Sequence, residues 1–153
     1  LTALDQLRES GGKRSPRTPP DYLTRQPNDE CLVLRLRHGR NSFLFTADAE
    51  PLTEALLLEQ GLLEPADVLK VAHHGSRRSS RPDFLDAVRP AFALISVGRD
   101  NPHGMPGSRV LDDLRARSAM IFRTDHDGLI SLFSDGRRIT IDRRHATLRP
   151  SPF

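Results

Sequence analysis

The sequence has 153 residues, 23 of them basic and 20 acidic, for a formal charge of +3 at neutral pH. That length suffices for one domain with a real core, while 37% hydrophobic residues and 12 prolines indicate substantial loops around a modest core. The charge is too small to argue nucleic-acid binding from the total, the single cysteine excludes an internal disulfide, and no run approaches the roughly 20 apolar residues of a membrane helix. No signal-peptide pattern is present, and a start at Leu1 rather than Met suggests a chain cut from something longer. The basic residues cluster at Lys13-Arg14, Arg77-Arg78, Arg137-Arg138 and Arg143-Arg144, which read first as solvated surface.

Leu1, Leu4 and Leu7 carry a weak helical pattern, and SGGKRSPRTPP from Ser10 to Pro20 reads as a flexible linker, so residues 1–27 form a flexible N-terminal segment. The alternative for that stretch is a basic arm that contacts phosphates. Residues 28–142 hold the folded unit. Cys31 to Arg37 alternates, which predicts a strand burying Leu32, Leu34 and Leu36, with Cys31 as a structural thiol. His38-Gly39-Arg40-Asn41 is turn chemistry, and Ser42 to Thr46 returns as the second strand of a hairpin. Pro51 to Gln60 predicts a helix with Glu54 favouring its N-terminal end, Leu52, Ala55, Leu56 and Leu58 as its apolar stripe, and Gly61 as its stop.

Val68 to Ala72 reads as a buried strand that delivers His73 and His74 at its end, before Gly75 and Ser76 turn the chain. A short helix from Pro82 to Val88 follows, with Ser79 or Ser80 as its cap and Pro90 as its stop. Ala91 to Val97 is another buried strand, and Gly98 to Gly107 is a long loop. Ser108 then caps a helix from Arg109 to Arg117. Met120 to Arg123, Leu129 to Phe133 and Ile139 to Ile141 are short strands, separated by turns at Asp127-Gly128 and Asp135-Gly136. Residues 143–153 read as a loose tail, with His145 in it. The pattern is α/β, with a mixed sheet and flanking helices.

Strand ends on such a sheet collect ligands, because a rigid scaffold holds side chains that face a crevice. This edge gathers Asp48, His73, His74 and the loop Asn101-Pro102-His103-Gly104-Met105-Pro106. Carboxylate plus imidazole suits a zinc- or manganese-type ion, and an aspartate bridges two ions in centres that clamp a phosphoryl oxygen. Adjacent histidines on a strand point to opposite faces, so one of the pair would ligate and the other pack, touch substrate or orient its neighbour. Ser76 is placed to donate to a ligand, and Arg77 and Arg78 make the rim attractive to phosphate. Asp125, His126 and Asp127 in RTDHDG compete as a cluster, but they precede a glycine turn and read as turn chemistry.

From Asn28 to Ile130 these residues resemble the metallo-β-lactamase-type domain of ComEC/Rec2 competence proteins, specifically its C-terminal half. The match is carried by PNDECLVLRLRHGRNSFLFTADAE, ADVLKVAHHGSRRSSRPDFLDAVRP, FALISVGRDNPHGMP and FRTDHDGLI, in the family's order. The resemblance implies an αββα sandwich of two similar halves and metal-dependent phosphodiester hydrolysis. It implies single-stranded DNA as substrate, a membrane channel domain of the same protein as partner, and a place for the domain on the extracytoplasmic side of the membrane. By position, Asp48 matches the family's bridging aspartate, and His73-His74 matches the metal-binding histidine and its neighbour, the order within the pair staying open. The second histidine and Ser76 would then contact phosphate or leaving group. Two departures stand out: Ala47 replaces the family's glycine, and Met105 stands where the family loop has histidine. No His-x-His-x-Asp-His stretch occurs, so the expected zinc or manganese centre, of one or two ions, has an incomplete ligand set here. The competing expectation is a degenerate, non-catalytic module that binds DNA or the channel domain through its arginines. Hydrolysis of small phosphodiesters or lactones is a third. A half-sandwich that exposes its missing partner's surface is also a candidate homodimer.

Overall fold

The computed structural model describes residues 27–144. The helical pattern at Leu1 to Leu7, the linker with its basic arm, and the tail from His145 onward lie outside the described residues. After a 3-10 turn at Pro27–Glu30, the chain forms β1 (Leu34–His38) and β2 (Asn41–Phe45), then α1 (Pro51–Glu59) and β3 (Val68–Lys70). There follow α2 (Pro82–Val88), β4 (Phe92–Ile95), α3 (Ser108–Ala116), β5 (Met120–Arg123), a single helical turn α4 (Thr124–Asp127), β6 (Leu129–Ser134) and β7 (Ile139–Arg144). Strands β1 to β5 make one mixed sheet in chain order, antiparallel only between β1 and β2, while β6 and β7 form a separate antiparallel pair. This is the α/β arrangement with a mixed sheet and flanking helices that the periodicities predict.

Parallel neighbours require crossovers, and each crossover here is a helix. The core sits between one sheet face and these helices: Leu44, Leu69, Val71, Ala93 and Ile95 meet Phe84, Leu85, Val88, Val110, Leu111 and Leu114. The alternate residues face the other way. Arg143 of β7 lies over the Phe122 ring there, 5.3 Å from its centroid. Leu132 and Ser134 of β6 share a cavity of about 490 Å³ with Leu36, Phe43, Phe45, Val68 and Leu94. The β6–β7 turn docks on the β1–β2 turn through Arg40 N–H to the Gly136 carbonyl, at 2.6 Å. Gly39, at φ +59°, lies so close there that a Cβ would stand 2.4 Å from the Gly136 oxygen.

The first strand reverses its expected faces. Leu34 and Leu36 pair with Phe45 and Phe43 and lie away from the helices, exposed at 52% and 53%, and Leu32 is also exposed. Val33 packs against the core, and the Arg35 guanidinium donates to the Pro65 and Glu64 carbonyls at 3.0 and 2.5 Å. Alternation distinguishes two faces, but which one the helices cover depends on the crossovers. The caps differ as well. The short helix α2 is preceded by Arg81 and α3 by Gly107, neither with a side-chain cap. Ser79 is buried instead, its hydroxyl donating to the Ala72 and Ser76 carbonyls at 3.1 Å each. The last strand runs on through Arg143 and Arg144, which pair with Ile130 and Leu129, so these two residues belong to the sheet rather than to a tail.

Helix α1 departs most from its predicted amphipathicity. Its buried residues are Pro51 and Glu54, and the leucine stripe is only half-buried. The Glu54 carboxylate accepts the backbone N–H groups of Ser80 and Arg81 at 2.5 and 3.0 Å. Burial raises its pKa to about 7, against the lowering effect of those two N–H groups. A carboxyl whose folded pKa exceeds its unfolded value stabilises the fold fully below the unfolded pKa, and that contribution disappears as pH rises through the folded one. Unfolding free energy should therefore fall between pH 5 and 8 by an amount on the order of 3 kcal/mol from this group. Urea unfolding across that range should show the decline in the native chain and a flatter profile in Glu54→Gln. Equal slopes would remove Glu54 as its source.

Candidate functional site

Because β2, β3 and β4 are parallel, their carboxyl ends share one edge. Short bonds stitch this edge together: Thr46 Oγ1 donates to the Lys70 carbonyl at 2.6 Å, His73 N–H to Ala47 at 3.0 Å, and Val71 N–H to Leu94 at 2.9 Å. The backbone next to Asp48 is thus fastened to the first histidine. Behind it, Gly107 N–H donates to the Gly75 carbonyl at 2.8 Å, and a Cβ on Gly75 would lie 2.6 Å from the Pro106 Cβ. Gly75, at φ +79°, is therefore required both by its conformation and by the loop that crosses it.

The histidine pair is not on a strand. Regular pairing ends at Lys70, and His73 and His74 both take left-handed backbone, with φ 46° and 55°. The opposite-faces expectation therefore fails, since it assumed extended backbone. The rings stand edge-on to one another with centroids 6.3 Å apart. Two consecutive non-glycine residues in this region carry strain of about 1–3 kcal/mol each, which the surrounding bonds must hold.

Both rings are anchored through Nδ1. That of His73 lies 2.7 Å from Glu50 Oε1, and that of His74 lies 2.6 Å from the Ser96 carbonyl oxygen. A carbonyl or an ionised carboxylate only accepts, so each neutral imidazole carries its proton on Nδ1. Each Nε2 is then left as a lone pair, the state that binds a metal or takes a proton. Glu50, 4% exposed, is a participant that the sequence reading passed over. Its Oε2 is buried without a hydrogen bond and lies 3.5 Å from Arg78 Nε. The signal was present in TADAE, where a second carboxylate stands two residues after Asp48.

Lys70 was also passed over. Burial pushes its ammonium below the usual lysine range, and the charge of half-buried Asp48 pulls it partly back. Ser76 is buried; its N–H donates to the His73 carbonyl at 2.9 Å and its Oγ accepts Arg78 N–H at 3.3 Å. Loop residues His103 and Met105 line a cavity of about 210 Å³ with His74, Val97, Gly98 and Asn101. Asn101 closes that loop on itself, bonding Met105 N–H at 2.9 Å and the Met105 carbonyl at 2.8 Å. In the RTDHDG cluster His126 is exposed, while burial pushes Asp125 up but the hydrogen bond and charge of Arg123 outweigh it and hold the carboxyl below its usual range. Asp127 accepts the Arg123 N–H at 2.8 Å.

Among the described residues, no three His, Cys, Asp or Glu side chains gather closely enough to hold a metal ion. A structural or catalytic zinc takes about three or four protein ligands, so these residues do not make a complete centre. They offer two open Nε2 atoms and a nearby carboxylate.

The chain is thus an α/β unit with two anchored imidazoles at the carboxyl edge of its parallel strands. The chain is 37% identical over 103 residues to ComE operon protein 3 of Bacillus subtilis (strain 168), which covers 67% of this chain and 13% of that protein. It is 32% identical over 133 residues to Recombination protein 2 of Haemophilus influenzae, covering 87% of this chain and 17% of the relative. Competence protein ComA of Neisseria gonorrhoeae is 35% identical over 120 residues, covering 78% and 17%. No family model matches the chain. The chain belongs to the ComEC/Rec2 family of competence proteins, and it spans 13% to 17% of the length of these relatives. No helix among the described residues is long and apolar enough to cross a membrane.

The ring assignments are open to direct measurement. Long-range nitrogen–proton correlation spectra, recorded at a pH where both rings are neutral, should place the proton of both His73 and His74 on Nδ1. In Glu50→Ala, His73 should shift toward the Nε2-protonated form while His74 stays as it was. A His73 ring protonated on Nε2 in the native chain would contradict the geometry.

Proposed function

We propose that this chain contributes one side of a metal-dependent phosphodiester hydrolase centre in a DNA-uptake protein, on a metallo-β-lactamase-type αββα fold. The observation that carries the reading is the pair of Nδ1-anchored imidazoles, open at Nε2, on the carboxyl edge of the sheet, with the His73 backbone fastened to Ala47, the residue before Asp48. Zinc or manganese would be held by Asp48 and one of His73 and His74, together with ligands from outside the described residues, while the other histidine and Ser76 face the phosphate or leaving group. Such an ion supplies an acidic bound water and neutralises phosphoryl charge. For its own part, Glu50 holds the His73 ring, Ser96 holds the His74 ring, and Lys70 offsets the charge of Asp48. Arg77 and Arg78, on the rim, attract the phosphate. DNA as substrate, a membrane channel domain as partner and a membrane-associated parent protein belong to the same proposal, supported by the relatives named for competence and recombination.

The ligand shortfall also supports the second reading, a non-catalytic module that keeps the fold. Ala47 and Met105 favour it, and the retained TADAE and HHGS stretches oppose it.

The two readings separate on a longer version of the protein that includes the adjoining sequence. Manganese- or zinc-dependent cleavage of single-stranded DNA should be measurable there and fall at least about a hundredfold in Asp48→Ala, as expected for loss of a residue that shapes transition-state charge. The 153-residue chain alone should cleave far more slowly. Equal rates for native and Asp48→Ala would remove Asp48 from the mechanism, and no cleavage by the longer protein would leave the non-catalytic reading.

A further inference from the structure

Beside the strand-end site lies a cleft of about 330 Å³ lined by Pro51, Arg77, Arg78, Arg81, Pro82 and Arg109. It adjoins the histidines by chain and by contact: Arg77 and Arg78 follow HHGS directly, and Arg78 reaches Glu50, the partner of His73. The four arginines differ in their engagement. Arg109 is a brace, with Nε and Nη2 on the Arg77 carbonyl at 3.1 and 2.8 Å, Nη2 also on Ser79 at 2.7 Å, and Nη1 on Asp113 at 2.6 Å. Arg81 pairs with Asp83 at 3.4 Å. Arg78 is half-exposed, and Arg77 is exposed with no ion pair among the described residues.

The loop that carries them is tied down at nearly every step. Ser76 and Ser79 N–H groups bond the His73 and Ser76 carbonyls, and Arg78 N–H bonds Ser76 Oγ. Glu54 takes Ser80 and Arg81 N–H, and Arg109 takes the Arg77 and Ser79 carbonyls. Ordering a loop on binding costs free energy, and this backbone is already ordered. A rigid backbone that presents adjacent guanidinium groups to an open cleft suits a repeating anion. No aromatic side chain lines the cleft, so bases have nothing there to stack on.

We infer that this cleft is a preassembled, sequence-independent site for the backbone phosphates of a single nucleic-acid strand, with Arg77 and Arg78 as its contacts and Arg109 and Glu54 as positioning residues. The inference rests on reading the adjoining site as one for phosphodiesters. The strand would run along the loop toward the histidines, so the phosphates held in the cleft are neighbours of the one at the strand-end site.

Fluorescence anisotropy with a short labelled single-stranded oligonucleotide, in chelator and across a sodium chloride series, tests this on the full chain. The Arg77→Ala/Arg78→Ala double variant should bind at least about tenfold more weakly at low salt. Its slope of log affinity against log salt should be shallower by about 1.4, from two lost phosphate contacts. Arg137→Ala/Arg138→Ala removes the same charge elsewhere and should leave binding within about twofold, since a site rather than total charge is at work. Equal losses in the two double variants, or native affinity in the first, would overturn the inference. So would native binding to phosphatidylglycerol vesicles with none to the oligonucleotide. Arg77→Gln and Arg78→Gln read the same slope singly should the double variant misfold. Arg109→Lys keeps the charge but not the fork of bonds. It should weaken binding and speed amide exchange at Arg77 to Ser80, and unchanged exchange would strike Arg109 from the account. Because the measurement contains no free metal, it stands or falls separately from hydrolysis at Asp48.

Discussion

The interaction on which this arrangement depends is the buried carboxylate of Glu54 gripping the backbone of Ser80 and Arg81. Burying a carboxyl is costly unless its oxygens are satisfied, and here two peptide N–H groups do so. Glu54 stands one helical turn after Glu50, and its N–H donates to the Glu50 carbonyl at 3.1 Å. Residues four apart share a helix face. One end of one helix therefore places two carboxylates against the segment that follows β3. The first orients His73 and the second fixes the arginine loop, so the imidazole and the guanidinium groups share a reference frame.

That frame works only because three strands end together. The parallel register of β2, β3 and β4 delivers Asp48, the histidine turn and the loop after Ser96 to one edge. The left-handed backbone at His73 and His74 then turns both rings out of the strand plane, where an extended chain would have separated them. The strain of that turn is held by ordinary bonds: the Ala47 carbonyl on one side, the Ser96 carbonyl on the other, and Gly75 fitted under Pro106. A site built in this way keeps its donors oriented before any ligand arrives, which lowers the reorganisation that binding requires.

Much of this was legible in the residues. Element order, the two hairpins and the mixed sheet follow from periodicity and turn chemistry, which are local. The edge on which Asp48 and HHGS meet follows from the rule for open sheets. What was not legible is tertiary. Leu32, Leu34 and Leu36 alternate faithfully, yet nothing in alternation says that Val33 packs on the core and Arg35 reaches the Glu64–Pro65 loop instead. Glu54 reads as a favourable first-turn charge, and only packing shows it to be buried. The contribution of Glu50 depends on a partner 23 residues away, at a distance that no pattern within one element reports. The histidine pair misled for the opposite reason: an apolar run extrapolates as strand, and the strand ends two residues early, at Lys70 rather than Ala72.

The outward face of the sheet, with Leu36 and Phe45 exposed at the cavity under β6 and Leu34 exposed next to Phe45, has a thermodynamic meaning. Folding buries one side of this sheet and leaves part of the other in water, where each Å² of apolar surface still holds roughly 25 cal/mol of unrealised stabilisation. Anything that covers the face only in the folded chain is linked to the folding equilibrium by mass action, and so raises the melting temperature as a ligand does. The stability of this unit is therefore not a property of its own residues alone. It is a variable set by the concentration and proximity of whatever apolar surface lies against β1 and β2.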